Sequence, residues 1–134
     1  MKKLMSIKYS PLGFDIATLL LRVAAGVMMI PHGYGKLVKF AEMKDKFMDF
    51  MGIGPVASLA LVIFAEFFCS ILLTAGLFTR LALIPLTIAM AVALFQAHSA
   101  DLFGDGQTAA LYLSVYIALL ILGPGKFSVD GAIK

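Results

Sequence analysis

The apolar residues of this chain fall into four long blocks, separated by short polar breaks. The first block runs from Asp15 to Val38, 24 residues. As a helix it rises about 36 Å, enough to cross the ~30 Å hydrocarbon core of a bilayer. Pro31 lies late in it and predicts a kink near its end. The second block covers 55–78 and opens at Gly54-Pro55, a good helix start. The third covers 81–98 and the fourth 108–122. These two are short for spanning, so each stands upright or extends into the headgroup region.

The breaks differ in kind. Thr79-Arg80 is a tight turn that folds the second and third blocks into an antiparallel hairpin, whereas SADLFGDGQ, residues 99–107, is a true loop. FAEMKDKFMDFM, residues 40–51, places Phe40, Met43, Phe47 and Phe50 at helical spacing, with charges between them. This predicts an amphipathic helix lying in the membrane interface. The expected fold is therefore all-α: an integral membrane four-helix bundle forming one domain over 1–134, with a short interfacial helix between spans one and two.

Composition agrees with lipid as the solvent. The chain is 61% hydrophobic and 14% charged, against about 25% charged in soluble domains. Net charge is +3, but the lysines stand beside apolar blocks, where anionic headgroups and topology account for them. With no basic-aromatic groove, nucleic-acid binding is excluded. The single cysteine, Cys69, permits no intrachain disulfide, CxxC pair or multi-cysteine metal site, and reads as a small buried hydrophobe. The MKK start imitates a signal peptide. Arg22 interrupts the apolar run, however, and the helical pattern continues past Ala24-Ala25, so the expectation is a retained helix. Four spans put both termini on one side with Lys2, Lys3, Lys8, Arg80, Lys126 and Lys134, against Lys36, Lys39, Lys44 and Lys46 on the other. This bias favours cytoplasmic termini.

Charges inside the bilayer are costly and must pair, face protein or reach water. Arg22 lies about 15 Å below His32, and Glu66 about 16 Å below Pro55. If His32 and Pro55 mark one surface, the two charges share a depth and form an Arg22–Glu66 salt bridge. The pair either locks two helices or belongs to a pocket. By the same accounting His32, Lys36, Gln96, His98 and Gln107 rim one mouth above it. Arg22, Gly26, Gly33 and Lys36 fall within about 40° of one helix face, so the glycines let a neighbouring helix come close. HGYGKL lacks the GxxxxGK[ST] phosphate-loop pattern. Two histidines on different helices admit haem or metal ligation, but no third-ligand motif accompanies them, and no metal is expected. Asp130 emerges on the side of Arg80, which predicts an Arg80–Asp130 contact pinning the tail to the hairpin turn.

LLLRVAAGVMMIPHGYGKL in span one, FAEFFCSILLTAGLFTRLA across spans two and three, then FQAHSADLF and LGPGKFSVD, follow one another over nearly the whole chain. In this series the sequence resembles the DoxX family of small four-span membrane proteins. The resemblance implies a bundle in the inner membrane and carries over Arg22, His32, Gly33, Lys36, Glu66, Arg80, His98 and Asp130. An acidic residue is expected near the start of the last span in many relatives, where this chain has Gln107. The resemblance also implies a subunit of a quinone-linked membrane oxidoreductase or redox-stress complex, with no redox centre of its own and electrons supplied by a partner protein. Two other readings stand beside it: a non-enzymatic bundle that assembles membrane proteins or binds a small amphiphile, and a small-solute or proton transporter. The transporter reading is weakened by the lack of an inverted repeat. Phe and Met richness is compatible with a homo-oligomer and equally with lipid-facing side chains.

Overall fold

The computed structural model describes residues 4–97, 103–104 and 106–133, with the side chains of Gln96 and Ala97 outside that description. Among the described residues there are helices and turns and no strand. Four rods build the bundle: α1 (Pro11–Val38), α3 (Pro55–Ala75), α4 (Thr79–Phe95) and α5 (Gln107–Leu122). Two short helices accompany them, α2 (Phe40–Met43) above α1 and α6 (Val129–Ile133) at the tail.

Local chemistry sets the helix ends. Ser10 caps α1 by accepting a hydrogen bond from the Gly13 N–H at 2.9 Å, with Pro11 following at the first helical position. The helix continues through Pro31 to Val38. Pro55 likewise opens α3. Its end is a Schellman turn, in which Gly76 takes the left-handed conformation (φ 75°) and Leu77 N–H reaches back to Leu72 O at 3.0 Å. Within α3, residues Phe64–Cys69 widen into a π-helical turn, and Ala93–Ala97 do the same where α4 ends. Such turns relax the regular hydrogen-bond ladder and recur at functional sites.

The interfacial helix is shorter than the pattern over 40–51 predicts. Regular helix covers Phe40–Met43, and hydrogen-bonded turns carry it only to Phe47. A straight twelve-residue helix extends about 18 Å, whereas this segment must double back to the start of α3. Met51 and Gly52 make that reversal at positive φ, and Asp49 ties it by accepting from Gly54 N–H at 2.8 Å.

The most intimate packing joins α1 to α3. A Cβ placed on Gly33 meets Phe67 N at 2.5 Å and Glu66 C at 2.6 Å, and one on Gly26 collides with Thr74. Ridges of ordinary side chains hold helix axes 8–10 Å apart, and small residues let the backbones come closer. Around this seam sits a core that includes Met29, Leu59, Leu73, Leu83, Leu86, Tyr116 and Leu119. Leu20, Met28, Leu61, Phe68, Ile88, Leu111 and Ile121 point outward and are exposed. Helices apolar on both the core and outer faces belong in a membrane. Two of the rods, Pro11–Val38 and Pro55–Ala75, are long and apolar enough to cross it alone.

Gly33→Ala is expected to destabilise the bundle by about 1–3 kcal/mol, the usual range for overpacking. At Gly35 nothing lies within 4 Å of an added Cβ. Gly35→Ala is therefore expected to be neutral or stabilising by about 1 kcal/mol through helix propensity. Thermal unfolding in detergent distinguishes the two, and equal effects would refute the close-approach account.

Candidate functional site: a polar cavity beside the α3 π turn

The seam at Gly33 determines what stands around it. Gly33 lies against the backbone of Glu66, so Lys36, one turn further along α1, comes level with the Glu66 side chain. Lys36 Nζ donates to Glu66 Oε1 at 2.6 Å. Glu66 is 4% exposed, and its position on the π turn of α3 directs it inward. A carboxylate at that depth is tolerable because the ammonium pairs with it.

The pair borders a cavity of about 270 Å³. Met29 and His32 contribute from α1, Met90 and Ala93 from α4, and Thr108, Ala109 and Tyr112 from α5. The His32 ring stands edge-on to Tyr112, with centroids 6.2 Å apart and planes at 83°. One turn below Tyr112, the Tyr116 ring lies 5.8 Å from it, within electrostatic reach of Glu66. Tyr116 is fully buried, and its hydroxyl has no hydrogen-bond partner among the described residues. The assembly thus offers an ammonium, a carboxylate and a phenol inside an apolar bundle. Two thioethers and an aromatic ring supply flat, polarisable walls. Among the described residues no three His, Cys, Asp or Glu side chains gather as a metal site would require.

The expected Arg22–Glu66 pair is not formed. Arg22 is 1% exposed and donates to backbone carbonyls: Nη1 to Leu73 O (3.1 Å) and Thr74 O (2.6 Å), Nη2 to Phe127 O (2.6 Å). Depth accounting set His32 level with Pro55. The glycine seam instead brings His32's neighbour Gly33 beside Glu66, well down α3. Because the helices run antiparallel, His32 then stands level with Phe67, and the register is displaced by the whole distance from Pro55 to Phe67. Arg22 moves to the opposite end of the bundle, and Lys36 takes the carboxylate.

The other sequence candidates divide. His32 and Lys36 join Glu66 at the cavity. Gln107 opens α5 and is exposed, its neighbour Thr108 lining the cavity in its place. The Gln96 side chain and His98 lie outside the described residues. Gly26 and Gly33 form the seam. At the lower end Asp130 accepts from the N–H groups of Phe78 and Thr79, both at 2.9 Å, capping α4, while its own N–H donates to Gly76 O. Arg80 donates to Leu120 O and Ile121 O at the end of α5. Tail and hairpin turn are thus fastened through backbone groups. The sequence pattern does not mark Thr108, Tyr112 or Tyr116 as cavity residues. A signal is present for the tyrosines, because two of them four residues apart in an apolar span must share one face.

Lys36→Met and Glu66→Gln are each expected to destabilise the protein, since each strands the other partner. The double variant is expected to recover part of the loss, with a coupling energy of about 1–3 kcal/mol. Additive effects in a double-mutant thermal cycle would contradict the pairing. Tyr116→Phe removes a buried hydroxyl that has no partner among the described residues, and is expected to be neutral or to stabilise by about 1 kcal/mol. A clear loss of stability would show that the hydroxyl is hydrogen-bonded.

Comparison with known proteins agrees with the fold. A family model described as DoxX matches residues 17–99. The inner membrane protein YqjF of Escherichia coli (strain K12) is 29% identical over 126 residues, covering 87% of this chain and 91% of that one. An uncharacterized protein of Haemophilus influenzae (strain ATCC 51907 / DSM 11121 / KW20 / Rd) is 34% identical over 117 residues, covering 82% and 85% respectively. No solved structure matches. With the second and third spans, the α1–α3 seam and the Lys36–Glu66 pair inside the matched segment, the chain belongs to the DoxX family of membrane proteins.

Proposed function

We propose that this protein binds the head of a small quinone in the Lys36–Glu66 cavity and acts as the quinone-binding subunit of a membrane oxidoreductase, with electrons arriving from a partner protein. The observation that carries the reading is an ion pair on the wall of a cavity within an otherwise apolar bundle. Ligand pockets combine apolar walls with a few convergent polar groups, and this cavity has that composition.

The residues present suit such a head. Lys36 has three N–H donors, of which Glu66 Oε1 uses one, and another can meet a ring carbonyl. The Tyr112 phenol adds a neutral donor or acceptor on the opposite helix. Met29 and Met90 pack against ring faces. At about 270 Å³ the cavity sits just below the ~300–1,000 Å³ of pockets for drug-sized ligands, so it holds a single substituted ring rather than a whole long-chain molecule. Bound quinone supplies a two-electron acceptor. Glu66 is the group placed to hold a proton at its second carboxylate oxygen, and Lys36 stabilises the charge that remains when the proton leaves.

Purification in mild detergent, followed by organic extraction and mass analysis, tests the reading. Quinone is expected to accompany the unmodified protein and to be lost from Glu66→Gln and Lys36→Met preparations that remain folded by circular dichroism. Absence of quinone from freshly purified unmodified protein, with a stoichiometric partner protein in its place, would overturn it and favour the assembly role.

A further inference from the structure

A second cavity, about 280 Å³, opens on the outer side of the α3–α4 hairpin. Its surface is almost wholly apolar, bounded by Leu61 and Phe64 of α3, Ile84 and Ile88 of α4, and Phe47 and Phe50 of the segment that returns to α3. The one hydroxyl among its lining residues, Ser58, is occupied: it accepts from Phe50 N–H at 2.8 Å and donates to Gly54 O at 2.6 Å. Those two bonds hold Phe50 over the groove.

The groove and the polar cavity border the same stretch of the same two helices. Ala65 lines the groove, and the next residue, Glu66, lines the cavity. On α4 the division repeats, Ala89 and Val92 facing the groove while Met90 and Ala93 face the cavity. Three of the six residues at this divide are alanines: Ala65 within the π turn of α3, Ala89 on α4, and Ala93 at the start of the π turn of α4.

We propose that the groove holds the apolar tail of the molecule whose head occupies the polar cavity, so that the two form one site for an uncharged amphiphile entering sideways from the bilayer. This rests on the reading that the cavity binds a head group. Electrostatics select an uncharged head: the Lys36 and Glu66 charges cancel within the cavity, and Lys44 and Lys46 near the groove are offset by Glu42, Asp45 and Asp49. Neither region presents the net positive charge that a phosphate requires. In a bilayer the groove gives no hydrophobic driving force, because lipid tails are as apolar as its walls. What it supplies is shape: a slot beside the head site, where a tail stays at van der Waals distance while the head remains bound.

The chain contains no tryptophan, so a single introduced indole reports one location. Leu61→Trp in the groove and Leu20→Trp on α1 replace lipid-facing side chains that are 52% and 67% exposed. In nanodiscs of uncharged lipid, a decyl-benzoquinone brominated at the tail end is expected to quench Leu61→Trp fluorescence saturably. Leu20→Trp is expected to show only the linear quenching that follows bulk partition. Adding Glu66→Gln to Leu61→Trp is expected to abolish the saturable component. Ile88→Trp, on the facing helix and 51% exposed, replaces Leu61→Trp if that variant does not fold. Equal, linear quenching at groove and control positions would overturn the groove assignment, even where quinone extraction still depends on Glu66. Saturable quenching that survives Glu66→Gln would overturn the link between tail and head, showing a groove that takes chains on its own. Loss of Glu66 dependence in the extraction experiment alone would fall on the head-site reading instead.

Discussion

The close approach of α1 to α3 at Gly26 and Gly33 is the constraint on which the remaining arrangement depends. With no side chain at either position, α1 comes against the backbone of α3, which sets the relative register of the two long helices. That register brings Lys36 to Glu66 at one end and Arg22 to the last turn of α3 at the other. Any bulkier residue at position 33 separates the helices at the level where the ion pair must close. The stability of the seam and the chemistry of the cavity are therefore one problem, although the glycines touch no ligand.

The lower end is governed by a different rule, that buried backbone groups require partners. Helices ending near a membrane surface leave carbonyls and N–H groups unpaired, and here three side chains supply them. Arg22 donates to the carbonyls of Leu73, Thr74 and Phe127, Asp130 accepts from the first N–H groups of α4, and Arg80 donates to the carbonyls that close α5. Charges that look expensive in a sequence thus serve as caps, holding the tail across the α3–α4 turn. Their removal is a matter of helix ends and tail order, away from the cavity.

The sequence announced the spans well because apolar length and helix-end residues are local properties. Pro55 and Gly123 act where the pattern placed helix boundaries, whereas α3 ends at Gly76, short of the predicted limit at 78. Pairing across the bundle was less legible, because it depends on register. Two helices with known ends can still slide, and setting His32 level with Pro55 misses the register by about twelve positions, which exchanges the partner of Glu66. The glycines held the missing information: small residues at 26 and 33 mark where α1 touches a neighbour, but the sequence does not say which turn of that neighbour answers. Tyr112 and Tyr116 are hard to place from sequence for another reason. Aromatic residues in an apolar span look lipid-facing until the opposite wall of the cavity is known.

The division of cations between the two ends bears on what the cavity can do. A guanidinium offers five donors in a rigid fork, and Arg22 uses that fork to bind three carbonyls from two segments at once. Such a group is fixed by its contacts and cannot swing toward a ligand without loosening the tail. Lys36 carries a compact ammonium on a flexible stem, partly exposed, with a single carboxylate contact. Moving it breaks one bond and leaves the helices where the glycines hold them. Glu66 itself stands on the π turn of α3, where the regular hydrogen-bond ladder is interrupted. Rigid charge secures the architecture at the lower end, and movable charge faces the cavity at the upper end. An ion pair arranged in that way can open without moving the helices, which a bridge built from Arg22 could not.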